Sequence, residues 1–441
     1  TIWKRFLVGN SVASSFSGGS SRDGGKARRG AAASRYHKRL IESRKGGVFI
    51  KKRGVYTLGI ALLGSMMLFG CRKIGETAPE TASAETSYVS EETAGESKTE
   101  TKATEPPAPT EDPAPEPLVP EAIEPTPAED ALPEGMVKSY LTGEPVAEVQ
   151  GRRRPVAVML SNIISACPQS GISRAGVIYE APVEGGITRL MGLFENYDDL
   201  EKIGSVRSCR EYYVYLAAGF DALYYHYGQA AYAIPLLESD HIDNVNGMEY
   251  SEQVYYRTSD RPSPHNAYLD AAGIAAGIDL CGYRTSYKDG YDGFFQFASE
   301  TEPETLEQGR NAAYVAPGGY FHNNPWFSYD EASGTYLRYQ FGEPQIDEMT
   351  QEQLAVKNII VQYCSWKKYD DNAEYLDIDV VNGGTGTYIT SGKAIDVTWS
   401  KDDPWGVTKY RDGNGDEIKL NPGKTWVLIV LDNYADETEI R

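Results

Sequence analysis

Apolar residues are spread unevenly along this chain, and their pattern divides it into five stretches. Residues 1–50 are basic and rich in Ser, Gly and Arg, with no sustained hydrophobic period, and are excluded from fold reasoning. Residues 51–71 place Lys51, Lys52 and Arg53 ahead of an apolar run, Val55 to Phe69, which ends at Gly70 and Cys71. That is the layout of a secretory signal of the lipoprotein kind, and the run falls short of the roughly 20 apolar residues a membrane-spanning helix needs. Residues 72–150 lose all periodicity and consist mostly of Glu, Thr, Ala, Pro and Ser. Such a segment buries too little apolar surface to offset the entropy of ordering it, so it reads as a disordered tether with a coil dimension of roughly 50 Å.

Hydrophobic patterning returns abruptly at RRRPVAVML, beginning at Arg152. Val156–Leu160, 176–183 and 187–194 read as strands, the first as a continuous buried run. Lys202–Val206 predicts a further strand leading into CREYYVYLAAGF, whose apolar spacing predicts an amphipathic helix. DALYYHYG predicts a strand, AAYAIPLLES a short helix broken near Pro235, and His265–Cys281 an Ala-rich helix. Strands alternating with helices over 151–305 argue for an α/β N-terminal domain built on a mixed sheet. Past Tyr314 the texture becomes short aromatic and β-branched segments set between Gly, Asn and Asp. NIIVQYCSW, LDIDVV, GTGTYIT, AIDVTW and TWVLIVL predict strands, so 306–441 is expected to be a β-rich C-terminal domain packed on the first.

Charge narrows the class of partner. The formal net charge is −20, although the first 71 residues are strongly basic with only Asp23 and Glu42 against them, so everything after Cys71 is more acidic still. A chain of that balance has no electrostatic footprint for nucleic acid. Of the five cysteines, Cys71 belongs to the signal. Cys167, Cys209, Cys281 and Cys364 are isolated from one another, which excludes zinc-ligand spacing. They could pair in three ways or serve as separate buried hydrophobes, and the sequence does not choose. No cofactor is implied.

The stretch RRPVAVMLSN, with CPQSGIS, VIYEAPVEGGITRLMGLFE, KIGSVRSCREYY and FDALYYHYG following in order, resembles the YerB-like family of bacterial lipoproteins. The resemblance covers nearly all of 152–441 and is most specific at EGGITR (184–189) and GSVRSCR (204–210), with SPHNAY (263–268) and LNPGKTWVLIV in support. Cys167, Gly176, Ser205 and Cys209 depart from the family's pattern, where Arg, Asp, Pro and Ala are usual. The family's two halves are domains of unknown function, so the resemblance implies an architecture, an extracytoplasmic address and attachment to the membrane through a lipidated Cys71, and no reaction.

Candidate chemistry rests on a few side chains. Arg189, Arg207 and Arg210 fall at predicted strand and helix boundaries, and guanidinium forks bind phosphate or carboxylate bidentately. Against an anion site stands ordinary ion pairing with Glu180, Glu184 or Glu211. His226 and His265 are candidate polar groups able to act as a general base, and Glu184 and Asn266 lie beside the same motifs. Cys209, between two arginines at a helix start, is placed where a thiol pKa would fall. Asp412, Asn414 and Asp416 imitate the opening of a calcium loop, yet a hairpin turn on Asp-Gly and Asn-Gly explains them more simply.

Two functions follow as expectations. The first is a membrane-anchored binding or scaffolding module at the cell envelope, with a wall polymer or envelope protein as partner. The second is an envelope enzyme acting on a phosphorylated glycopolymer or lipid-linked pyrophosphate through the arginine cluster. For the second, the order of strand, turn, strand and arginines over 186–216 loosely resembles the region of the LytR-CpsA-Psr glycopolymer transferases where arginines clamp a pyrophosphate.

Overall fold

The computed structural model describes residues 132–370 and 374–441. The basic extension, the signal segment with Cys71 and the greater part of the expected tether lie outside the described residues. The tether expected over 72–150 is folded at its end. Met136–Lys138 and Pro145–Ala147 pair as a hairpin with Val137 opposite Val146, followed by a short helix, Glu148–Gly151. Ser139 Oγ accepts from the backbone N–H groups of Leu141 and Thr142, Gly143 takes a φ of +70° in the turn, and Leu141 is buried in the core. The flanking Glu and Pro residues hide that alternation in the sequence.

One large mixed sheet organises the molecule. Its eleven strands, in chain order, are β1 (Val156–Asn162), β2 (Val177–Pro182), β3 (Thr188–Phe194), β4 (Leu223–His226), β5 (Asp243–Asn246), β6 (Arg310–Asn311), β7 (Asn358–Cys364), β8 (Gly384–Thr390), β9 (Lys393–Lys401), β10 (Thr408–Arg411) and β11 (Thr425–Leu431). Across the sheet they run β6, β9, β8, β7, β11, β2, β3, β1, β4, β5, with β10 also pairing β9. The last long strand, β11, lies parallel to β2, Thr425 opposite Val177 through Leu428 opposite Glu180, and parallel to β7 on its other side. The strands on either side of residue 305 therefore belong to one sheet.

Central strands are buried on both faces, which is why they read as unbroken apolar runs. Along β11, Val427 and Ile429 face one core layer while Trp426, Leu428 and Val430 face the other. The first layer is covered by helix α1 (Glu211–Gly219) together with Phe294 and Phe295. The second is covered by Ile274 of helix α2 (Ala271–Cys281) and by a smaller antiparallel sheet whose Val315, Phe327, Tyr336 and Val356 pack inward.

Three expected elements differ in detail. The α1 helix is not amphipathic, because it is sandwiched, and of its nine residues only Tyr215 is not fully buried. The expected helix from His265 begins later. Ala267–Leu269 is a strand, and Asp270 then caps α2 by accepting from Gly273 N–H at 2.7 Å. Pro235 starts a short helix, Ile234–Leu237, where its missing N–H costs nothing, instead of breaking one. Asp412 accepts from Asn414 and Asp416 N–H groups in a turn that pairs Arg411 with Glu417, so those residues form the hairpin and not a calcium loop.

Candidate functional site

The site grows from the edge of the sheet where β1 ends and β3 begins. Ser161 and Arg189 are cross-strand neighbours there. The segment 205–209 is laced across this edge. Ser161 N–H donates to Ser205 O, Arg207 N–H to Met159 O, Tyr227 N–H to Arg207 O, and Cys209 N–H to Gly228 O. Those bonds tie the segment to the end of β1 and to the loop after β4, two parallel strands. Crevices beyond the carboxyl ends of such strands are where open sheets bind ligands.

Arg189, Arg207 and Arg210 are thereby brought together. Arg189 is about 95% buried with a relative exposure of 5%, its Nη1 donates to Ser208 O at 2.6 Å, and among the described residues it forms no ion pair. Burial, followed by the charges of Arg210 and Arg207, pulls its pKa down to about 10. Arg207 is half-buried, donates from Nη1 to Pro264 O at 3.3 Å, and leaves its buried Nε without a partner among the described residues. Its pKa is lowered by burial and then by Arg210 and Arg257. Arg210 behaves differently, gripping Glu184 with Nε and Nη2 at 2.5 Å each. Burial works against its charge, but the Glu184 bonds and charge outweigh that and raise its pKa. Glu184 and Arg210 are thus a structural ion pair flanking the cluster.

His265 joins the cluster. Its Nδ1 lies 3.4 Å from Ser161 Oγ, and burial followed by Arg207 and Arg189 lowers its pKa, keeping the imidazole neutral. The other candidates are placed elsewhere or otherwise engaged. His226 is fully buried between Gly228 O (2.8 Å from Nδ1) and Asn244 Oδ1 (3.2 Å from Nε2), a core histidine whose pKa is lowered by burial. Asn266 pins a hairpin by accepting from Arg257 Nη1 and donating to Thr258 O. Cys209 is not activated. Full burial drives its thiol up to about 12 despite the neighbouring arginines, and Cys167 and Cys364 are pushed up to about 12 as well. The four described cysteines are free thiols.

The sequence did not single out Ser161 or Ser208, ordinary serines whose roles depend on the lacing described above. It also missed a buried charge pair inside the sheet. Glu180 Oε2 accepts from Arg338 Nη2 at 2.6 Å with both side chains fully buried, and Glu180 Oε1 accepts from Asn162, Thr188 and Asn323. The Arg338 guanidinium lies 4.6 Å from the ring centres of both Phe327 and Trp426. Among the described residues no group of three or more His, Cys, Asp or Glu side chains could hold a metal ion, and no helix is long and apolar enough to cross a membrane. One buried and one half-buried guanidinium, neither in an ion pair among the described residues, lie beside a neutral imidazole and two hydroxyls and can receive a phosphate or carboxylate.

Comparison with known proteins finds two matched stretches within the described residues. Residues 141–284 match the N-terminal domain, and residues 316–427 the C-terminal domain, of a family described as proteins of unknown function (DUF3048). A Bacillus subtilis (strain 168) protein called "Putative lipoprotein YerB" is 32% identical over 300 residues, covering 67% of this chain and 87% of that one. The crystal structure of the YerB protein from Bacillus subtilis superposes with a TM-score of 0.61 at 30% identity, covering 69% of this chain and 99% of that chain.

Proposed function

The chain belongs to the YerB-like lipoprotein family, and from that premise we propose that it is an extracytoplasmic binding module, held to the membrane through Cys71, that captures a phosphate-bearing envelope polymer on Arg189 and Arg207. The observation carrying this reading is the unpaired charge of Arg189. A buried cation whose one nearby carboxylate, Glu184, is bonded to Arg210 is costly unless a ligand supplies a counter-ion, and in a chain of net charge −20 carboxylates were abundantly available. An anion is the missing partner, and phosphate offers both the charge and the fork geometry. The stretch between Cys71 and the folded part would then let the module reach from the membrane toward the wall.

The test is binding of an isolated phosphate-bearing wall polymer to the full-length protein. Wild type should bind, and Arg189→Met and Arg207→Met should each weaken binding roughly tenfold or more, the scale of one lost charge-assisted contact. Unchanged affinity in both variants would sink the reading. Attachment is checked separately: Cys71→Ser should move the protein from the membrane fraction to the medium or the soluble fraction.

A group-transfer reading is favoured by one observation, the neutral His265 beside the arginines, a base available at neutral pH. Turnover of a lipid-linked pyrophosphate that is lost in His265→Ala while polymer binding persists would establish it over simple capture.

A further inference from the structure

A second feature adjoins the arginine cluster at the start of α1. Between α1 and the hairpin Trp366–Lys368 with Leu376–Ile378 lies a cleft of about 540 Å³. Its walls include Tyr215, Tyr232, Trp366 and Tyr369, and its floor includes Glu211 and Asp377. Tyr232 and Tyr369 stack with ring centres 3.8 Å apart, and Tyr232 is fixed by donating its hydroxyl to Asp370 Oδ2. Trp366 is fixed by its Nε1 bond to Asn433 Oδ1. The walls are therefore held in place by neighbours.

The charges in the cleft are accounted for one by one. Asp379 is consumed by a turn, accepting from Val381 N–H, Asn382 N–H and Asn382 Nδ2. Asp377 faces the exposed Lys367 at 3.3 Å. Glu211 has no cation of its own, because its neighbour Arg210 is committed to Glu184. It is only 5% exposed, and its Oε1 is buried with no hydrogen-bond partner among the described residues. Burial raises its pKa to about 7; the Glu211 backbone N–H, Arg210 and the Tyr369 hydroxyl offset this only in part, and Asp377 adds to it.

We propose that this cleft binds an organic ammonium group, with Glu211 as its counter-charge and the rings of Tyr232, Tyr369 and Trp366 as its walls. A cation would supply the partner that Glu211 lacks and would also gain from aromatic surroundings. A hard metal ion suits the cleft poorly, because it demands six or more oxygen ligands and the lining is largely aromatic and aliphatic. The proposal is independent of the arginine cluster.

The test is isothermal titration of the full-length protein with three probes: choline, glucosamine and the neutral N-acetylglucosamine. Choline or glucosamine should bind, and whichever is tighter identifies a headgroup or an amino sugar as the source of the ammonium. N-acetylglucosamine should bind roughly tenfold more weakly or not at all. Glu211→Gln, nearly isosteric, should cost roughly tenfold in affinity, as should Trp366→Ala on the wall. Choline keeps its charge at every pH, so its affinity should be higher at pH 8 than at pH 6, where Glu211 is protonated, and flat in Glu211→Gln. The groups facing Glu211 are Arg210, Asp377, the buried Cys209 thiol and the hydroxyls of Tyr212, Tyr215, Tyr232 and Tyr369. Of these, no carboxylate besides Asp377 competes for the effect. Equal binding of N-acetylglucosamine and glucosamine would overturn the proposal in favour of a sugar site. Absence of binding by both cationic probes, or an unaltered affinity in Glu211→Gln, would overturn it outright.

Discussion

Arg338 and Arg189 are both buried arginines, and they are buried on different terms. Arg338 meets Glu180 at 2.6 Å, and Glu180 in turn has its other oxygen saturated by Asn162, Thr188 and Asn323. Arg189 bonds to a backbone carbonyl and lies near two more arginines, and the one carboxylate that acts on it, Glu184, is held by Arg210. The first arrangement closes its charge, cation against anion, although Arg338 Nη1 and Asn323 Oδ1 have no hydrogen-bond partner among the described residues, and it joins the two family domains, since Glu180 lies in the first and Arg338 in the second. The second is open, with three guanidinium charges gathered around the single carboxylate of Glu184. A closed network is what a fold keeps for its own cohesion, whereas an open one is what a ligand completes.

The sharpest way to break the comparison is to remove one partner from each. Arg338→Met leaves Glu180 charged and buried, and should destabilise the fold by about 3–5 kcal/mol in chemical denaturation. Arg189→Met removes an unpaired buried charge and should be neutral or stabilising by about 1–2 kcal/mol. If the two variants lost stability equally, Arg189 would be a structural residue like Arg338, and the open cluster would lose its meaning.

A ligand should act on one arginine and not on the other. Phosphate-bearing polymer at a hundredfold excess over its dissociation constant should stabilise the wild type by about 2.7 kcal/mol. That gain, read as a thermal shift, should vanish in Arg189→Met. Trp426→Phe, which trims a buried core side chain that faces Arg338, should keep it.

How much of this was legible beforehand depended on distance along the chain. The strands β1, β2, β3, β7 and β11 announced themselves because burial on both faces demands unbroken apolar runs, a local property. The hairpin 136–147 did not, because its two short strands are set among Glu and Pro and only the buried Leu141 betrays it. The amphipathic reading of α1 failed for a related reason: a helix covered all round carries no polar stripe. Arginines at strand ends could be suspected from spacing, but their separate fates could not. Arg210 finds Glu184 across 26 residues and Arg338 finds Glu180 across 158, pairings that only the folded sheet creates. Likewise His226 and His265 look alike in sequence, and burial alone makes one a core residue and the other a member of the cluster.

The smallest expected effect tests whether the open cluster is electrically open. His265 has a pKa held below 6.5, by burial first and then by Arg207 and Arg189. A histidine depressed in the folded state takes up protons more readily when unfolded, so its share of stability is complete above pH 6.5 and is lost as pH falls from there toward the folded value. Replacing Arg207 with Met removes one of the two repelling charges. The His265 imidazole, followed by NMR, should then titrate nearer 6.5, and a bound phosphate should move it in the same direction by neutralising the arginines. His226 is the internal control, since its shift arises from burial, offset in part by its bonds to Gly228 and Asn244, and owes nothing to the cluster. If Arg207→Met moved both histidines alike, the change would be a general loosening of the fold. If it moved neither, the guanidiniums would already be screened from His265 by solvent, and the contrast with the sealed Glu180–Arg338 pair would rest on geometry alone.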